Sequence, residues 1–542
     1  MPDVSPIRVT DPPDRPVWDL VFLTPARCKI IFISALVLGF VAQTLFLFHF
    51  CPVDLSGDEA QYWDWSRHLD LSYYSKGPLV AYLIRASCSV FGDTMPGVRF
   101  PALVLAIGTS CCTYWLTQKL FSSHRLALGA FLLQLIVPIY IAGACLMTID
   151  PPFFFCWALA TCLAVKAILD DRRWAWIACG AVVGIGFLAK YAMLLWFPFA
   201  LIFLLVDRQS RPWLRTIWPW LMILVGCLFT TPVLIWNARH NWPSVHHVAE
   251  QIGANTDPID GNTLEFIGAQ IGIVNPALFP LLVGAIFYAF RNRSDPHRRQ
   301  LKFLLCIGLP FLAICLIGSL RTKQQANWPA PAYFTLMILT AYFIGILLSH
   351  PARWRRWRGW AYAAIALTFI FQPLLHGSTM LYPLAARLNR VHLSPPQFDP
   401  AFKLRGIADP FASTVYRELG TLNPGAFILC AEYTDASQLA FYVPGQPRVY
   451  YAGSYWTDTD VRRRLTQFDM WPDRQLDRPE LIGKDAIYIG EMTNAPLRES
   501  FDSVEKLPDI MVQRDGMTIR AFEAWKCRGF KGMHRPPGNG HY

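Results

Sequence analysis

Residues 126–169 read LALGAFLLQLIVPIYIAGACLMTIDPPFFFCWALATCLAVKAIL, and Asp150 and Lys166 are the charged side chains among them. Two long apolar segments therefore flank a short polar turn at Asp150. A helix that crosses a bilayer needs about 20 mostly apolar residues. The stretch therefore predicts two transmembrane helices joined at Asp150, and the fold is expected to be that of a helical membrane protein.

The composition of the whole chain agrees with this prediction. Of 542 residues, 54% are hydrophobic and 16% are charged, whereas soluble proteins carry about 25% charged residues. The net charge of +11 does not predict a nucleic-acid partner, because the basic residues cluster between apolar segments, as at Arg291–Lys302 and Arg353–Arg358. Such clusters retain loops in the cytoplasm, and the Trp-rich Arg353–Arg358 cluster is expected to contact lipids of the inner leaflet.

Hydrophobic segments of spanning length predict about eleven transmembrane helices. They lie near residues 30–50, 98–117, 126–146, 152–169, 175–189, 191–206, 217–236, 264–290, 303–320, 331–348 and 360–376. Residues 1–28 form a predicted cytoplasmic tail, and residues 29–376 form the membrane domain. Most loop Lys and Arg residues then fall in the inner loops, which agrees with the positive-inside rule. An odd number of spans places the C-terminus outside the cytoplasm.

Residues 377–542 are more polar and predict a small α/β domain on the outer side. Residues 427–432, 448–452 and 486–490 have the pattern of strands, and residues 435–442 that of a short helix. The Pro- and Gly-rich end of the chain is expected to be disordered.

The first outer loop, residues 51–97, is predicted to be the catalytic loop. It contains the adjacent carboxylates Asp58 and Glu59 and, further on, the cation Lys76. Carboxylates at the end of a transmembrane helix are usually functional or exposed to water, and the residues alone favour neither interpretation. Trp63 and Trp65 are interpreted as anchors at the membrane interface.

Further polar residues fall on the same predicted side of the membrane. Asp150 lies between two apolar segments and needs a partner from elsewhere in the chain, while Lys190 either snorkels to the interface or binds a substrate. Two outer loops, residues 236–243 and 321–329, combine cations, amides and tryptophans. Carboxylates and cations on one face predict a site for a polar, anionic substrate.

Several motifs, in order, resemble one family. They are the Asp-Glu pair at 58–59, Tyr-Tyr-x-Lys-x-Pro-Leu at 73–79, Phe-Gly-Asp…Val-Arg-Phe-Pro-Ala at 91–102, Thr-x-Asp-Pro at 148–151, Trp-Asn at 236–237, Asn-Trp-Pro at 327–329 and the segment at 437–447. The chain thereby resembles the bacterial branch of the protein O-mannosyltransferase superfamily, which includes the aminoarabinose transferases that modify lipid A.

The resemblance implies a GT-C fold and an enzyme that transfers a sugar from a polyprenyl phosphate, usually with inversion, outside the cytoplasm. Asp58 and Asp150 match the two aspartates of the family, and Lys76 matches its donor-phosphate lysine. Ser75 stands where the aminoarabinose transferases have a glutamate associated with a metal. A divalent ion is therefore left open, with Glu59 or Asp150 as its candidate ligands, and no other cofactor is implied.

The predicted mechanism gives each polar group a role. Asp58 takes the proton of the acceptor hydroxyl, with Glu59 and Asp150 as further catalytic candidates. Lys76, with Arg321 or Lys323, neutralises the departing phosphate. The side chains predicted to contact substrate are aromatic, amide or basic groups of the outer loops: Tyr62, Tyr74, Lys190, Trp236, Asn237, His240, Asn327 and Trp328.

The expected partners are a polyprenyl-phosphate-linked sugar, a glycolipid or other envelope acceptor that offers a hydroxyl or a phosphate, and membrane lipids. The expected location is the bacterial inner membrane, with the site and the C-terminal domain in the periplasm. Two alternatives stay open, a transporter or flippase for a lipid-linked saccharide and a protein O-glycosyltransferase. Polar residues gathered at one face favour an enzyme, because transporters bind substrate near the bilayer midplane.

Overall fold

The computed structural model describes residues 23–251, 261–349, 355–376, 408–455, 465–492, 495–514 and 517–533. Most of the predicted N-terminal tail, part of the predicted boundary near residue 377 and the Pro- and Gly-rich C-terminal end lie outside these residues. The described chain is mainly helical up to residue 376 and forms a mixed α/β unit from residue 408 onward.

The helices of the first part fall into three groups. The long and apolar ones are α1 (Pro25–Leu45, continued by a π-helical turn Phe46–Phe50), α4 (Met95–Phe121), α7 (Asp150–Leu169), α15 (Arg298–Gly318) and α16 (Ala332–Ser349). Three pairs are bent at a short break: α5 (His124–Leu135) with α6 (Pro138–Cys145), α10 (Trp218–Leu228) with α11 (Thr231–Arg239), and α13 (Thr263–Val274) with α14 (Phe279–Arg291). The others are α2 (Gly57–Ser66), α3 (Leu79–Phe91), α8 (Arg173–Phe187), α9 (Trp196–Val206), α12 (Pro243–Gln251) and α17 (Arg355–His376).

The local sequence explains where these helices begin and bend. Thr24 caps α1 by accepting a hydrogen bond from the backbone N–H of Arg27, and Pro25 follows at the first helical position. Helices α5 and α6 meet at 70° because Pro138 lacks an N–H and holds Val137 in an extended conformation. The 98° bend between α13 and α14 lies at Asn275, whose φ is 99°, just before Pro276.

Five described helices are long and apolar enough to cross a membrane, or up to eight if each bent pair is counted as one span. Every predicted span overlaps one of these helices, a bent pair, or one of α8, α9 and α17. The predicted membrane architecture is thereby confirmed at this coarser level, while the count of about eleven spans stays a prediction. A large hydrophobic cluster, with Phe153, Trp157, Trp196 and Phe311 among its members, joins these helices.

The C-terminal part is built on a five-stranded sheet with the order β2-β1-β3-β7-β4. Strands β1 (Phe427–Cys430), β2 (Val449–Tyr451) and β3 (Ala486–Ile489) are parallel, while β7 (Ala524–Arg528) runs antiparallel to β3 and to β4 (Ser503–Lys506). Strands β5 (Ile510–Arg514) and β6 (Met517–Phe522) form a hairpin, and helices α18 (Ala408–Leu419), α19 (Tyr433–Tyr442) and α20 (Ala495–Glu499) complete the unit. The predicted strand, helix and strand are confirmed, and β4 to β7 are additions.

Residues 51–97, the predicted first outer loop, share one hydrophobic core with the C-terminal unit. The backbone N–H of Leu55 donates to the hydroxyl of Tyr442 over 2.6 Å, and the ring of Trp63 packs edge-on against Phe441 with centroids 4.9 Å apart. Trp63 and Trp65 are fully buried in this core. The interpretation of both residues as membrane-interface anchors is wrong, because Trp63 packs on the C-terminal unit and Trp65 stacks on Tyr73 of the same loop, with ring centroids 4.3 Å apart.

Candidate active site

Helix α2 presents Asp58 from its first turn. Ser56 caps the helix by accepting a hydrogen bond from the backbone N–H of Glu59 over 3.2 Å, and the Glu59 carboxylate accepts one from the backbone N–H of Ser56 over 3.0 Å. Gly57 lies against Thr434 so closely that an added Cβ would stand 2.7 Å from it. The reciprocal cap and the glycine therefore fix the direction in which Asp58 points.

Asp58 opens onto a cavity of about 950 Å³ between the predicted first outer loop and the C-terminal unit. Four of the predicted site residues line this cavity: Asp58, Tyr62, Tyr74 and Lys76. The opposite wall comes from the C-terminal unit and is rich in polar groups: Glu432, Tyr433, Asp435, Tyr451, Thr466, Glu491, Arg520 and Glu523. His247 and Gln251 of α12 and Gln325 of a later loop complete the polar lining.

The surroundings of Asp58 make it a stronger base than an ordinary aspartate. Desolvation by the protein atoms around the cavity raises the pKa of its carboxyl, Lys76 lowers that pKa, and Glu59 and Asp150 raise it again. The net effect is a pKa above the usual 3.8. Burial, and then the charge of Asp58, raise the pKa of Tyr62 well above its usual value, so this phenol keeps its proton as a hydrogen-bond donor.

Lys76 is held by a tight turn that packs on the end of α8. The backbone oxygen of Lys76 accepts hydrogen bonds from the N–H of Tyr73 over 3.0 Å and from the hydroxyl of Ser72 over 3.3 Å. A Cβ at Gly77 would stand 2.2 Å from the backbone oxygen of Leu188, so this position requires glycine. The same oxygen accepts the N–H of Leu79 over 3.0 Å, and the turn is thereby fixed to the membrane helices.

Asp150 and Lys190 form an ion pair behind this cavity. Lys190 Nζ lies 2.8 Å from Asp150 Oδ1, and the two side chains are 16% and 13% exposed. Asn327 Nδ2 donates to Asp150 Oδ2 over 2.6 Å. The partner that the sequence required for Asp150 is therefore supplied by two distant segments. The snorkelling interpretation of Lys190 is wrong, because its ammonium is directed at the carboxylate.

Glu59 faces away from the cavity and is closed by hydrogen bonds. Arg99 donates to both of its oxygens, Nε to Oε1 over 2.8 Å and Nη2 to Oε2 over 2.7 Å. The backbone N–H of Met147 donates to Oε1 over 3.0 Å. Because Glu59 is 0% and Arg99 1% exposed, this carboxylate stabilises the loop, and its predicted catalytic role does not agree with its placement.

Three predicted substrate contacts support the loops and are not among the residues that line the cavity: Trp236, Asn237 and His240. Trp236 Nε1 donates to Asp70 over 2.7 Å, and its ring stacks on His240 with centroids 4.3 Å apart. Asn237 bridges the carbonyl of Val233 and the N–H of Ser244. The predicted direct substrate contacts of these residues are replaced by a supporting role, since Ser244 in turn donates to the backbone of the Lys76 turn at Tyr73.

Arg321 and Lys323, one of which was predicted to assist Lys76 at the donor phosphate, are not among the residues that line the cavity. Arg321 and Lys323 are exposed, and Lys323 lines a separate pocket of about 600 Å³ beside Gly261–Glu265. Trp328 packs on the membrane core. Among the described residues that line the main cavity, the lysine and arginine side chains are Lys76 and Arg520. Arg520 carried no sequence signal, because it lies in an ordinary strand far along the chain.

The two candidate metal ligands are both engaged with cations, Glu59 with Arg99 and Asp150 with Lys190. Ser75, at the position before Lys76, lines the cavity with a hydroxyl in place of a carboxylate. In the part of the chain that the structure describes, no group of three His, Cys, Asp or Glu side chains is placed to hold a metal ion. The residues present therefore do not fit a metal site of carboxylates.

Comparisons with known proteins agree with this architecture. Residues 75–236 match the family model described as dolichyl-phosphate-mannose-protein mannosyltransferase. The lipid A galacturonosyltransferase RgtD of Rhizobium johnstonii is 29% identical over 317 residues, which cover 57% of this chain and 64% of the relative. The undecaprenyl phosphate-alpha-4-amino-4-deoxy-L-arabinose arabinosyl transferase 2 of Proteus mirabilis is 26% identical over 271 residues, 47% of each chain. The matched regions span less than two thirds of these relatives.

The solved structure of ArnT from Cupriavidus metallidurans bound to undecaprenyl phosphate is similar over nearly the whole chain. Its TM-score is 0.60 at 16% identity, and the match covers 92% of this chain and 97% of that one. At this identity the likeness shows the fold. These findings confirm the resemblance drawn from the motifs, to the aminoarabinose transferase-like branch of the GT-C superfamily.

Proposed function

We propose that this GT-C relative is an integral membrane glycosyltransferase that transfers a sugar from a polyprenyl phosphate to an acceptor hydroxyl or phosphate, with a glycolipid such as lipid A as acceptor. The observation that carries the proposal is the cavity that brings together Asp58 and Lys76. A base and a cation on one wall match the two needs of the reaction, proton removal from the acceptor and charge neutralisation on the leaving group.

In the proposed reaction the oxygen of an acceptor hydroxyl attacks the anomeric carbon of the donor sugar, and its proton passes to the Asp58 carboxylate. An acceptor phosphate would attack as the anion and need no base. The bond between the anomeric carbon and the phosphate oxygen breaks, and the polyprenyl phosphate leaves with both electrons of that bond. Lys76 stabilises the negative charge that develops on this phosphate. Attack from the face opposite the leaving group inverts the anomeric configuration.

Asp150, paired with Lys190, is proposed to raise the pKa of Asp58 and to provide a fixed charge near the substrate. It is close enough to raise the pKa of Asp58, and its carboxylate is fixed by Lys190 and Asn327. Such fixed charges need no rearrangement as the reaction proceeds. Tyr62 and Tyr74 are proposed to contact the sugar, because both line the cavity beside Asp58 and Lys76.

The proposal includes location and domain organisation. Residues 29–376 are proposed as the transferase domain in the inner membrane and residues 377–542 as a periplasmic domain that closes the site. The placement of lysine and arginine in the predicted inner loops supports this orientation. The shared core between the first outer loop and the C-terminal unit supports the closing role.

The decisive experiment measures release of undecaprenyl phosphate by the purified protein in lipid vesicles. Donors would carry galacturonate or 4-amino-4-deoxyarabinose, the sugars in the names of the relatives, and lipid A would serve as acceptor. We expect release to require an acceptor and to be accompanied by a glycosylated lipid. Translocation of the donor across the vesicle without release would instead support the transporter alternative, and transfer to added protein would support the protein O-glycosyltransferase.

A further inference from the structure

Among the described residues, two cationic side chains line the cavity from different parts of the chain. Lys76 comes from the loop before α3, and Arg520 comes from the wall formed by the C-terminal unit. Arg520 lies on β6, in the hairpin next to the central sheet. Its neighbours on that wall include Glu432, Glu491 and Glu523. An anionic group that enters this part of the cavity is repelled by these carboxylates and attracted to Arg520 alone among the described lining residues of this wall.

Arg520 is held in place and still has donors to spare. Its Nη2 donates to Asp435 Oδ1 over 2.7 Å, and its guanidinium carbon lies 4.4 Å above the ring of Phe522. The Arg520 side chain is 39% exposed, whereas Asp435 is 10% exposed. A guanidinium has five N–H donors in a rigid fork. One carboxylate and one ring therefore orient the group and leave an open edge for a second anion.

Arg520 also shares a second pocket with the proposed base. Asp58 and Arg520 together line a second pocket of about 480 Å³, along with Ser56, Gly57 and Thr434. Asp58 therefore lines the main cavity with Lys76 and Arg520, and the smaller pocket with Arg520. In the proposed function Lys76 faces the donor phosphate, which leaves Arg520 for the acceptor.

We propose that Arg520 binds an anionic group of the acceptor, a phosphate or a carboxylate, and that Asp435 positions Arg520 for this contact. The anchored acceptor then presents its nucleophilic oxygen to Asp58 and the donor sugar. This inference rests on the proposed function and adds an acceptor-selecting residue in the C-terminal unit. The planar guanidinium can donate two parallel hydrogen bonds to a phosphate or to a carboxylate, whereas the ammonium of a lysine cannot.

The test compares Arg520→Ala with wild type on three acceptors in the undecaprenyl phosphate release assay. The acceptors are phosphorylated lipid A, the same lipid after removal of its phosphates, and a phosphate-free glycolipid that bears a carboxylate. We expect Arg520→Ala to lower kcat/KM for the anionic acceptor that wild type prefers by about ten- to hundredfold, as for a lost hydrogen bond to a charged group. The KM for the donor and turnover of the neutral acceptor are expected to stay unchanged.

Arg520→Lys should recover part of the lost kcat/KM because it keeps the charge and loses the fork. This variant also serves if Arg520→Ala does not fold. Arg417→Ala is the matched control, since Arg417 is an exposed arginine of the same unit and pairs with Glu418. An equal loss on neutral and anionic acceptors, or no loss on either, would overturn the assignment of Arg520. No release by wild type with any acceptor would contradict the proposed function itself.

Discussion

Asp58 and Glu59 are neighbours in the chain, yet they belong to two different regions of the molecule. Glu59 lies in the closed core between α2 and α4, where Arg99 contacts both of its oxygens. Asp58 opens onto the cavity, and its cation, Lys76, belongs to a separate turn. Adjacent residues on a helix point about 100° apart, so a capped helix at a domain boundary separates them.

The comparison shows how the same functional group acquires two different roles. A carboxylate that accepts several hydrogen bonds from fixed donors has no lone pair left for a substrate proton. A carboxylate that is desolvated beside a single cation keeps its basicity and has room for a substrate. In this protein the first arrangement stabilises the loop, and the second is the candidate for chemistry.

The largest expected effect is a loss of activity on substitution of Asp58, the carboxylate that lines the cavity. Asp58→Asn should lower kcat by about 10²–10⁴-fold, the contribution of a positioned general base, for an acceptor that reacts through a hydroxyl. The melting temperature at pH 7 should stay close to that of wild type, because Asp58 is exposed and lines the cavity. Release of undecaprenyl phosphate and thermal unfolding of the same preparation check both parts, and near-wild-type kcat would remove Asp58 from the mechanism.

Substitution of Glu59 should affect stability more than activity. Glu59→Gln leaves Arg99 buried with its charge uncompensated, and breaking such a pair destabilises a protein by about 3–5 kcal/mol. We expect a lower melting temperature and less folded protein in membranes. The activity of each folded molecule should fall much less than in Asp58→Asn. If Glu59→Gln melts like wild type but has lost its activity, the distinction between the two carboxylates is wrong.

A smaller effect is expected at the ion pair behind the cavity. Asp150→Asn removes the charge that Lys190 faces and weakens the contact with Asn327, which misplaces groups near the cavity. The expected loss in kcat/KM is about ten- to hundredfold. Lys190→Met should act similarly, and the double variant should lose less than the sum of the two single losses. Strict additivity would show that the two side chains act independently.

The smallest expected change is a shift in the acid limb of the pH profile of kcat/KM. Asp58 acts as a base only when ionised, so activity falls as the pH drops through its raised pKa. Lys76 lowers this pKa and Asp150 raises it. The limb should therefore move to higher pH in Lys76→Met and to lower pH in Asp150→Asn. Shifts in the same direction in both variants would assign the limb to another group.

The sequence by itself determined the membrane class and most of the elements. Stretches of spanning length with few charges require helices, because a bilayer offers no partner for backbone N–H and C=O groups. The short apolar runs at 427–432, 448–452 and 486–490 likewise indicated strands. The motifs around Asp58, Lys76 and Asp150 indicated the family, since their order is readable without a fold. All of these signals are local.

The tertiary structure decided which polar groups meet. Lys190 and Asn327 reach Asp150 from segments 40 and 177 residues away, and Arg520 reaches the cavity on a strand that the sequence did not predict. Trp63 is buried against Phe441 of a distant unit, and Trp65 against Tyr73 of its own loop. The pKa of an ionisable side chain depends on its burial and on the groups near it. Both follow from how the chain packs, so roles such as those of Asp58 and Glu59 separate only in three dimensions.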